Sequence, residues 1–542
     1  MRTWFTGGDL LIVLDGGRGT GHVLRQRFLG SGDDALTALA PLDARWSFIR
    51  PGGTIAGVRG YGELQRDAIY PGIGARYYRR GESLKYDLLV APGADPRLIH
   101  FRYDGADRTV IGDDGALHVG TSVGELLEAP PYCYQDIGGT RRSIPCRFVR
   151  DRGGIGFSVG RYDRSRPLVI DPSLVYSSYF GGRLADAGRG VTLDTSGNIV
   201  VTGITISPDI PTTVGAYGRA LNPSGAQDIF VAKLDPTGSR LIYATYIGGG
   251  GDDEPASVRI LPNGRVVVAG STASPDFPVT PNQRGYRGKG DGFVLILDDF
   301  GTGLALSTCV GGGEDDHIEG LAIGSGGDIY VAGRTRSADF PTSANYPTTK
   351  PSYNTTLRGA EDAFVARLTQ AGVFYYSTYL GGDSNDVATA IAVEPGGAAW
   401  VTGWTYSDNF PMAGTPFSSV LRGKSDCFVT RFRFDGTTPE YSTLIGGDGD
   451  DLARSIALDA DGSAYITGST TSSDYPFSIP NPVASASWFV TKFLFVRGPR
   501  TTTRDYSRRI GAQDNGSGWT IQAGANNEVF IAGSTDAADF PL

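Results

Sequence analysis

The chain has 542 residues, 79 of them glycine, and a helix breaker every few positions leaves little room for an amphipathic helix of about twelve residues. Thr, Ser, Tyr and Phe are plentiful, which suits many short strands joined by tight turns, the all-β class. A formal net charge of −9 and a pI near 5.1 exclude the basic footprint of a nucleic-acid binder. The longest apolar runs, such as "LLIVL" at 10–14, fall far short of a membrane-crossing helix.

The N-terminal "MRTWFTGGDL" lacks the basic start, apolar stretch and small-residue cleavage site of an export signal. Either the protein stays inside the cell or the chain starts downstream of such a signal. Residues 1–165 read as a separate β-rich module. "LIHFRYDG" (98–105) sets Ile99, Phe101 and Tyr103 on one face against His100 and Arg102 on the other, and "GIGFSVGRYD" does the same with Ile155, Phe157 and Val159. A sandwich or curled sheet is expected. Four histidines, His22, His100, His118 and His317, are scattered without metal-ligand spacing, so no His-rich zinc site is expected. Cys133 and Cys146, thirteen apart, can be bonded or free; a bond would imply an oxidising compartment.

From 166 to 542 the chain repeats itself. Six copies begin at "YSSYFGG" (176), "YATYIGG" (243), "LSTCVGG" (306), "YSTYLGG" (376), "YSTLIGG" (441) and the degraded "YSRRIGA" (506), about 65 residues apart. Each copy holds four strand signals. Strands A and B form a hairpin such as "SVRILPNGRVVVAGST" (257–272), whose turn carries the Gly, Asn or Asp that φ > 0 demands. Strand C is "DIFVAKL", "DGFVLIL", "DAFVARL", "DCFVTRF" or "SWFVTKF", after a Pro-marked loop, and strand D is the aromatic/Thr run, such as "LIYATYI" (241–247). Four antiparallel strands recurring at this period describe the blade of a β-propeller. Cys309 and Cys427 stand where sister copies have apolar or small strand residues, and both are expected as buried core thiols.

The pattern YST-YLGG, Asp loop, IAVD–G–YVTG hairpin, S-x-DFP and DAFV-x-KL resembles the SBBP-type β-propeller repeat of bacterial exported proteins. "AIYPGIGARYY", "LKYDLLVAPGADP" and "GALHVGTSVGELLEAPPYCYQ" resemble the uncharacterised domain that precedes such repeats. The resemblance implies a secreted or surface-displayed protein with no assigned chemistry. The usual opening of the upstream domain is not visible, which implies a truncated start.

Six A–B hairpins are counted but only five C–D pairs follow the first of them. "PLVIDPSLVYSSYFGG" (167–182) aligns with a C–D pair, so a six-bladed ring is expected to close by pairing residues 167–180 with the final hairpin. Otherwise an unpaired edge would remain. The alternative is a longer chain, with more blades, cut at "DFPL".

Four residues after the second glycine of the YST-YLGG motif stand Asp186, Asp253, Asp316, Asp386 and Asp451; the sixth copy has Gly516, with Asp514 and Asn515 nearby. This loop arrives near the propeller axis, so a ring of carboxylates at a channel mouth is one expectation. Carboxylates about 10 Å apart repel by about 1.7 kcal/mol at an effective dielectric of 20, so each must be satisfied locally or share a cation such as Ca²⁺. Repetition in every blade favours local turn bonds. Asp228, Asp291, Asp362 and Asp426 before strand C, and Asp276, Asp339, Asp474 and Asp539 of "D-F/Y-P", are read as structural. "DADG" (459–462) starts like an EF-hand loop, but position twelve is Thr470, not Glu, so a hairpin turn is expected. No nucleophile elbow or P-loop occurs. Trp400 and Trp404 are expected as core or blade-edge filler, although aromatic platforms also bind sugars.

Together these features indicate a non-enzymatic, extracellular or cell-surface scaffold without a cofactor, whose variable B–C loops bind protein or glycan or drive self-association. The rivals are a structural subunit of a surface layer or filament, and a glycan hydrolase or lyase working in the propeller funnel.

Overall fold

The computed structural model describes the chain apart from residues 1, 7–8, 18–19, 33–35, 51–52, 81–82, 113–114, 138–139, 152–153, 178–179, 237, 239, 479–486, 497–500, 511–516, 525–527 and 535–542. Among the described residues there is no α-helix, and no helix is long and apolar enough to cross a membrane. Two compact units divide the chain: Met1–Phe180 with Ser196–Ile199 and Leu234–Ile242, and the remainder from Gly181.

The first unit has two sheets. One runs in the order Arg2–Thr6, Asp9–Gly17, Thr20–Phe28, Phe101–Asp104, Gly154–Val159, Cys146–Asp151. The nine-stranded second sheet has Ser83–Val90, Leu168–Ser177 and Gly124–Ile137 at its middle. Alternation works as the sequence requires: Phe101 and Tyr103 are buried while Arg102 between them is exposed. Leu10, Ile12 and Leu14 on the first sheet and Tyr86, Leu88 and Ile170 on the second belong to one apolar cluster. Cys133 on the second sheet is bonded to Cys146 on the first, with their Cα atoms 6.0 Å apart.

One expectation is corrected here. Residues 167–180 do not complete the last blade. They supply Leu168–Ser177, which pairs with Ser83–Val90 along one edge and with Gly124–Ile137 along the other. A strand has two hydrogen-bonding edges, and both are used. Leu168 and Ile170 are fully buried, so their transfer to water would oppose any exchange of partners. The first unit therefore runs on to Phe180, past the expected boundary at 165.

Among the described residues the second unit contains five four-stranded antiparallel sheets, each in the order A–B–C–D, and one two-stranded sheet, Ser517–Ala523 with Val529–Ser534. The strand A ranges are Asp186–Leu193, Asp253–Ile260, Asp316–Ile323, Asp386–Val393 and Asp451–Leu458. Each A strand packs on the next in sequence, and all six hairpins present residues of strand A to one channel. This is the radial arrangement of propeller blades. Successive blades share core clusters: Val294 and Ile296 of one blade pack with Leu321, Val331 and Phe364 of the next. At the A–B turns Gly197, Gly264, Gly327, Gly397 and Gly462 have φ between 79° and 88°, the left-handed region that only glycine adopts at little cost.

Candidate functional site

The aspartate that heads strand A is an acceptor at the seam between two blades. Asp253 Oδ2 accepts from the Gly249 N–H at 2.8 Å and from the Ser274 hydroxyl at 2.9 Å, and Thr272 lies directly across the hairpin. The arrangement recurs at Asp186 with Gly182 and Ser207, Asp316 with Gly312 and Ser337, Asp386 with Gly382 and Ser407, and Asp451 with Gly447 and Ser472. Thr335 additionally donates to Asp316 Oδ1. Four of the five aspartates are fully buried, Asp186 being the half-buried one, and none of the five lines the channel.

A second aspartate meets four of these seams, those of Asp253, Asp316, Asp386 and Asp451, from strand C of the preceding blade. Asp228, Asp291, Asp362 and Asp426 accept the backbone N–H of Asn222, Arg287, Arg358 and Arg422 at 2.8–3.1 Å. The two carboxyls converge on the first glycine of the Gly-Gly pair. A Cβ added to Gly446 would lie 2.3 Å from Asp426 Oδ1 and 2.7 Å from Asp451 Oδ2, and Gly248, Gly311 and Gly381 are hemmed in the same way. Glycine is required at these seams because two carboxyls occupy the space of a side chain. Burial pushes Asp228 and Asp426 up to about 6 and Asp291 and Asp386 up to about 7. The facing aspartate's charge adds to the shift, and the N–H donors oppose it. Asp276, Asp339 and Asp474 accept the N–H of Gly250, Gly313 and Asp448, so they reach back across the hairpin to the Gly-Gly loop rather than bonding within their own turn. Gly516, Asp514, Asn515 and Asp539 lie outside the described residues. Among the described residues no group of three or more His, Cys, Asp or Glu side chains comes together as a metal site would require.

The other expected positions resolve simply. Trp400 is fully buried and its indole N–H donates to Glu394 at 2.8 Å. Trp404 is half-buried, edge-on to Tyr406. Cys309 and Cys427 are free and buried, and burial pushes the Cys309 thiol up to about 12. Asp459 Oδ1 accepts from the N–H groups of Asp461 and Ser463, closing a hairpin turn.

A feature that the sequence reading missed sits three residues beyond each seam aspartate. There the A–B ladder shifts register, between Pro255 and Ser257, Ile318 and Gly320, Ala388 and Ala390, Ala453 and Ser455, and Gly518 and Thr520. The residue left over is a β-bulge, which bends a strand and re-aims a side chain. The bulged backbone crowds strand B, where a Cβ on Gly270, Gly333, Gly403 or Gly468 would stand 1.8–2.1 Å from a strand A carbonyl oxygen. A Cβ added to Gly203 would run into the Ala187 carbonyl oxygen in the same way, so the first blade shares the crowding.

The bulge positions are Arg189, Ala256, Glu319, Thr389, Arg454 and Trp519, and all six line the channel, whose volume is about 560 Å³. The next position along, Gly190, Ser257, Gly320, Ala390, Ser455 and Thr520, stays small. Arg189 pairs with Glu254 at 2.5 Å and Glu319 with Arg334 at 3.3 Å. Arg259, one turn of the pleat further down the second blade, also reaches the channel; desolvation by the surrounding wall holds its guanidinium below the usual value. The signal was present in the sequence: aligned on the aspartate, this position changes chemical class from copy to copy.

Among known families, residues 15–173 match the domain of unknown function DUF7948, and residues 440–476 match the β-propeller repeat SBBP. The regulatory protein FlaEY of Caulobacter vibrioides is 26% identical over 333 residues, covering 57% of this chain and 32% of that protein. The chain thus spans about a third of the length of this curated relative. Among solved structures, a gluconolactonase of Xanthomonas campestris aligns over 71% of this chain and 97% of its own, at 12% identity and a TM-score of 0.27. A mutant of NanB sialidase from Streptococcus pneumoniae aligns over 96% and 94%, at 9% identity and a TM-score of 0.36. Likenesses this remote are silent on chemistry. The two family matches fall where the resemblance read from the sequence places them, a DUF7948 match ahead of a β-propeller repeat match.

Proposed function

We propose that this protein is a non-enzymatic binding and assembly scaffold, displayed outside the cell, that uses the loops between strands B and C. The observation that carries the reading is a constant frame under variable loops. The Ser at the start of each loop and the Asp at its end are tied into the seam, while four described loops, 206–227, 273–290, 336–361 and 406–425, range from 18 to 26 residues. Between those fixed ends they expose large apolar side chains, Val214 at 92%, Val420 at 62% and Phe417 at 41%, as surfaces that meet partners do. The bonded Cys133–Cys146 pair supports an oxidising compartment.

Replacing the 336–361 loop by the 273–290 loop tests the reading. Labelled protein is expected to bind saturably to the envelope of the cells that make it, and the loop exchange to abolish binding with an unchanged melting temperature. Growth of regular polymers from purified protein would favour a layer subunit, and release of reducing sugar from envelope glycan would favour a hydrolase.

A further inference from the structure

We propose that the channel ringed by the six bulge residues binds a sugar carrying a carboxylate, a uronic-acid-type residue. This site is separate from the B–C loops and does not rest on their role. The first observation is charge. In a chain of net charge −9 the described residues that line the channel include Arg189, Arg259 and Arg454 against the one carboxylate of Glu319. Arg189 and Glu319 are already tied to Glu254 and Arg334. Arg259 donates only to Ser257 Oγ and the Val258 carbonyl, both at 2.9 Å, and Arg454 leaves its Nε–H buried without an acceptor. Neither has an ion-pair partner among the described residues. Two guanidinium groups without an ion-pair partner in a protein-walled cavity raise a positive field there, and they suit a carboxylate in forked geometry.

The second observation is the aromatic member of the ring. Trp519 is 55% exposed in the channel, with the Arg454 guanidinium 5.4 Å from its ring centre and its indole N–H donating to Ser534 at 3.1 Å. An exposed indole beside a cation offers a face to the C–H side of a sugar ring while the arginine takes the acid group. Val191, Leu321, Ile391 and Ile456 complete an apolar part of the wall that a bare phosphate would leave unused. A volume of about 560 Å³ accommodates one or two sugar rings. Among the described residues one carboxylate, Glu319, lines the channel, and it is engaged by Arg334. The inference is of binding, not cleavage.

The third observation is the bulge itself. In five hairpins it leaves one residue outside the regular ladder and places it in the channel, and the residues at the six equivalent channel positions differ in every blade but two. A purely structural channel would need only small or repeated side chains there.

Titration of the full-length protein followed by calorimetry and tryptophan fluorescence tests this, with methyl glucuronide, methyl glucoside and inorganic phosphate as probes. The glucuronide is expected to bind and to perturb the fluorescence. Arg259→Gln and Arg454→Gln should each weaken it about tenfold, the scale of one lost charge-assisted contact. Arg454→Lys should retain part of the affinity, and all variants should melt near the parent. Trp519→Ala should weaken the glucuronide and leave phosphate unaffected. Equal binding of glucoside, phosphate as tight as glucuronide, or no glucuronide binding at millimolar concentration would each overturn the proposal.

Discussion

The two units bury carboxyl groups in opposite ways. In the first, Glu128 is fully enclosed between the sheets, where the Tyr86 hydroxyl at 3.0 Å, the Tyr103 hydroxyl and the Gln26 amide at 3.2 Å all donate to it. Burial raises it to about 7. It is a solution made once, from four side chains on four strands. In the repeats, paired aspartates meet at four seams and are held by backbone N–H groups and one serine. A unique cluster depends on side chains that must be found together by tertiary folding. A repeated one is built from short-range loop bonds, so each copy of the sequence carries its own.

The largest expected effect is of pH, and it bears on both units. Glu128 and the seam aspartates have folded pKa values above their ordinary ones, about 7 for Glu128, Asp291 and Asp386 and about 6 for Asp228, Asp316 and Asp426. The folded protein therefore holds protons that the unfolded chain releases near pH 4. The stability these groups contribute is fully present below that and is lost as pH rises through 6 to 7. Each tenfold gain in proton affinity is worth about 1.4 kcal/mol, so several kcal/mol separate pH 5 from pH 8. Calorimetric melting should show a higher transition at pH 5. Glu128→Gln should remove only the share of the first unit, and equal melting at both pH values would refute the buried-acid account.

Next in size is the seam glycine. Gly446→Ala places a methyl group against two carboxyls and should cost about 3 kcal/mol in denaturant unfolding. Gly396→Ala, where nothing stands within 4 Å, should be near neutral. Smaller again is Asp386→Ala, which strands the Gly382 N–H and the Ser407 hydroxyl and should cost about 1–3 kcal/mol. Chelator and added Ca²⁺ should leave the melting of parent and variant unmoved; a rise with Ca²⁺ that Asp386→Ala diminishes would instead make the seams cation sites.

Much of the repeat unit is legible in the sequence because its strands are short and their signals local. "LIYATYI" becomes the strand Leu241–Ile247, and the turn glycines take positive φ where the hairpins need it. The seam aspartates stand out by recurrence. What recurrence cannot show is which carboxyl faces which, so Asp228 and its sisters read only as structural residues until Gly248 is seen between two carboxyls. Residues 167–180 mislead for the opposite reason. Their pattern fits a C–D pair, but Ser83–Val90 and Gly124–Ile137 claim both edges of the strand, and no local signal records that competition. The channel ring hides because attention to repeats selects what stays the same, and Arg454 and Trp519 matter through being different.

The strand A bulge has a consequence for how such a protein can change. A residue outside the regular ladder can be replaced with little effect on the sheet, while the glycine opposite it and the aspartate three places before it hold the geometry. Duplication of a repeat therefore copies the frame whole and delivers one unconstrained position to the axis. Single-codon substitutions at 189, 256, 319, 389, 454 and 519 can rewrite what the channel admits, blade by blade, with folding largely insulated from the search.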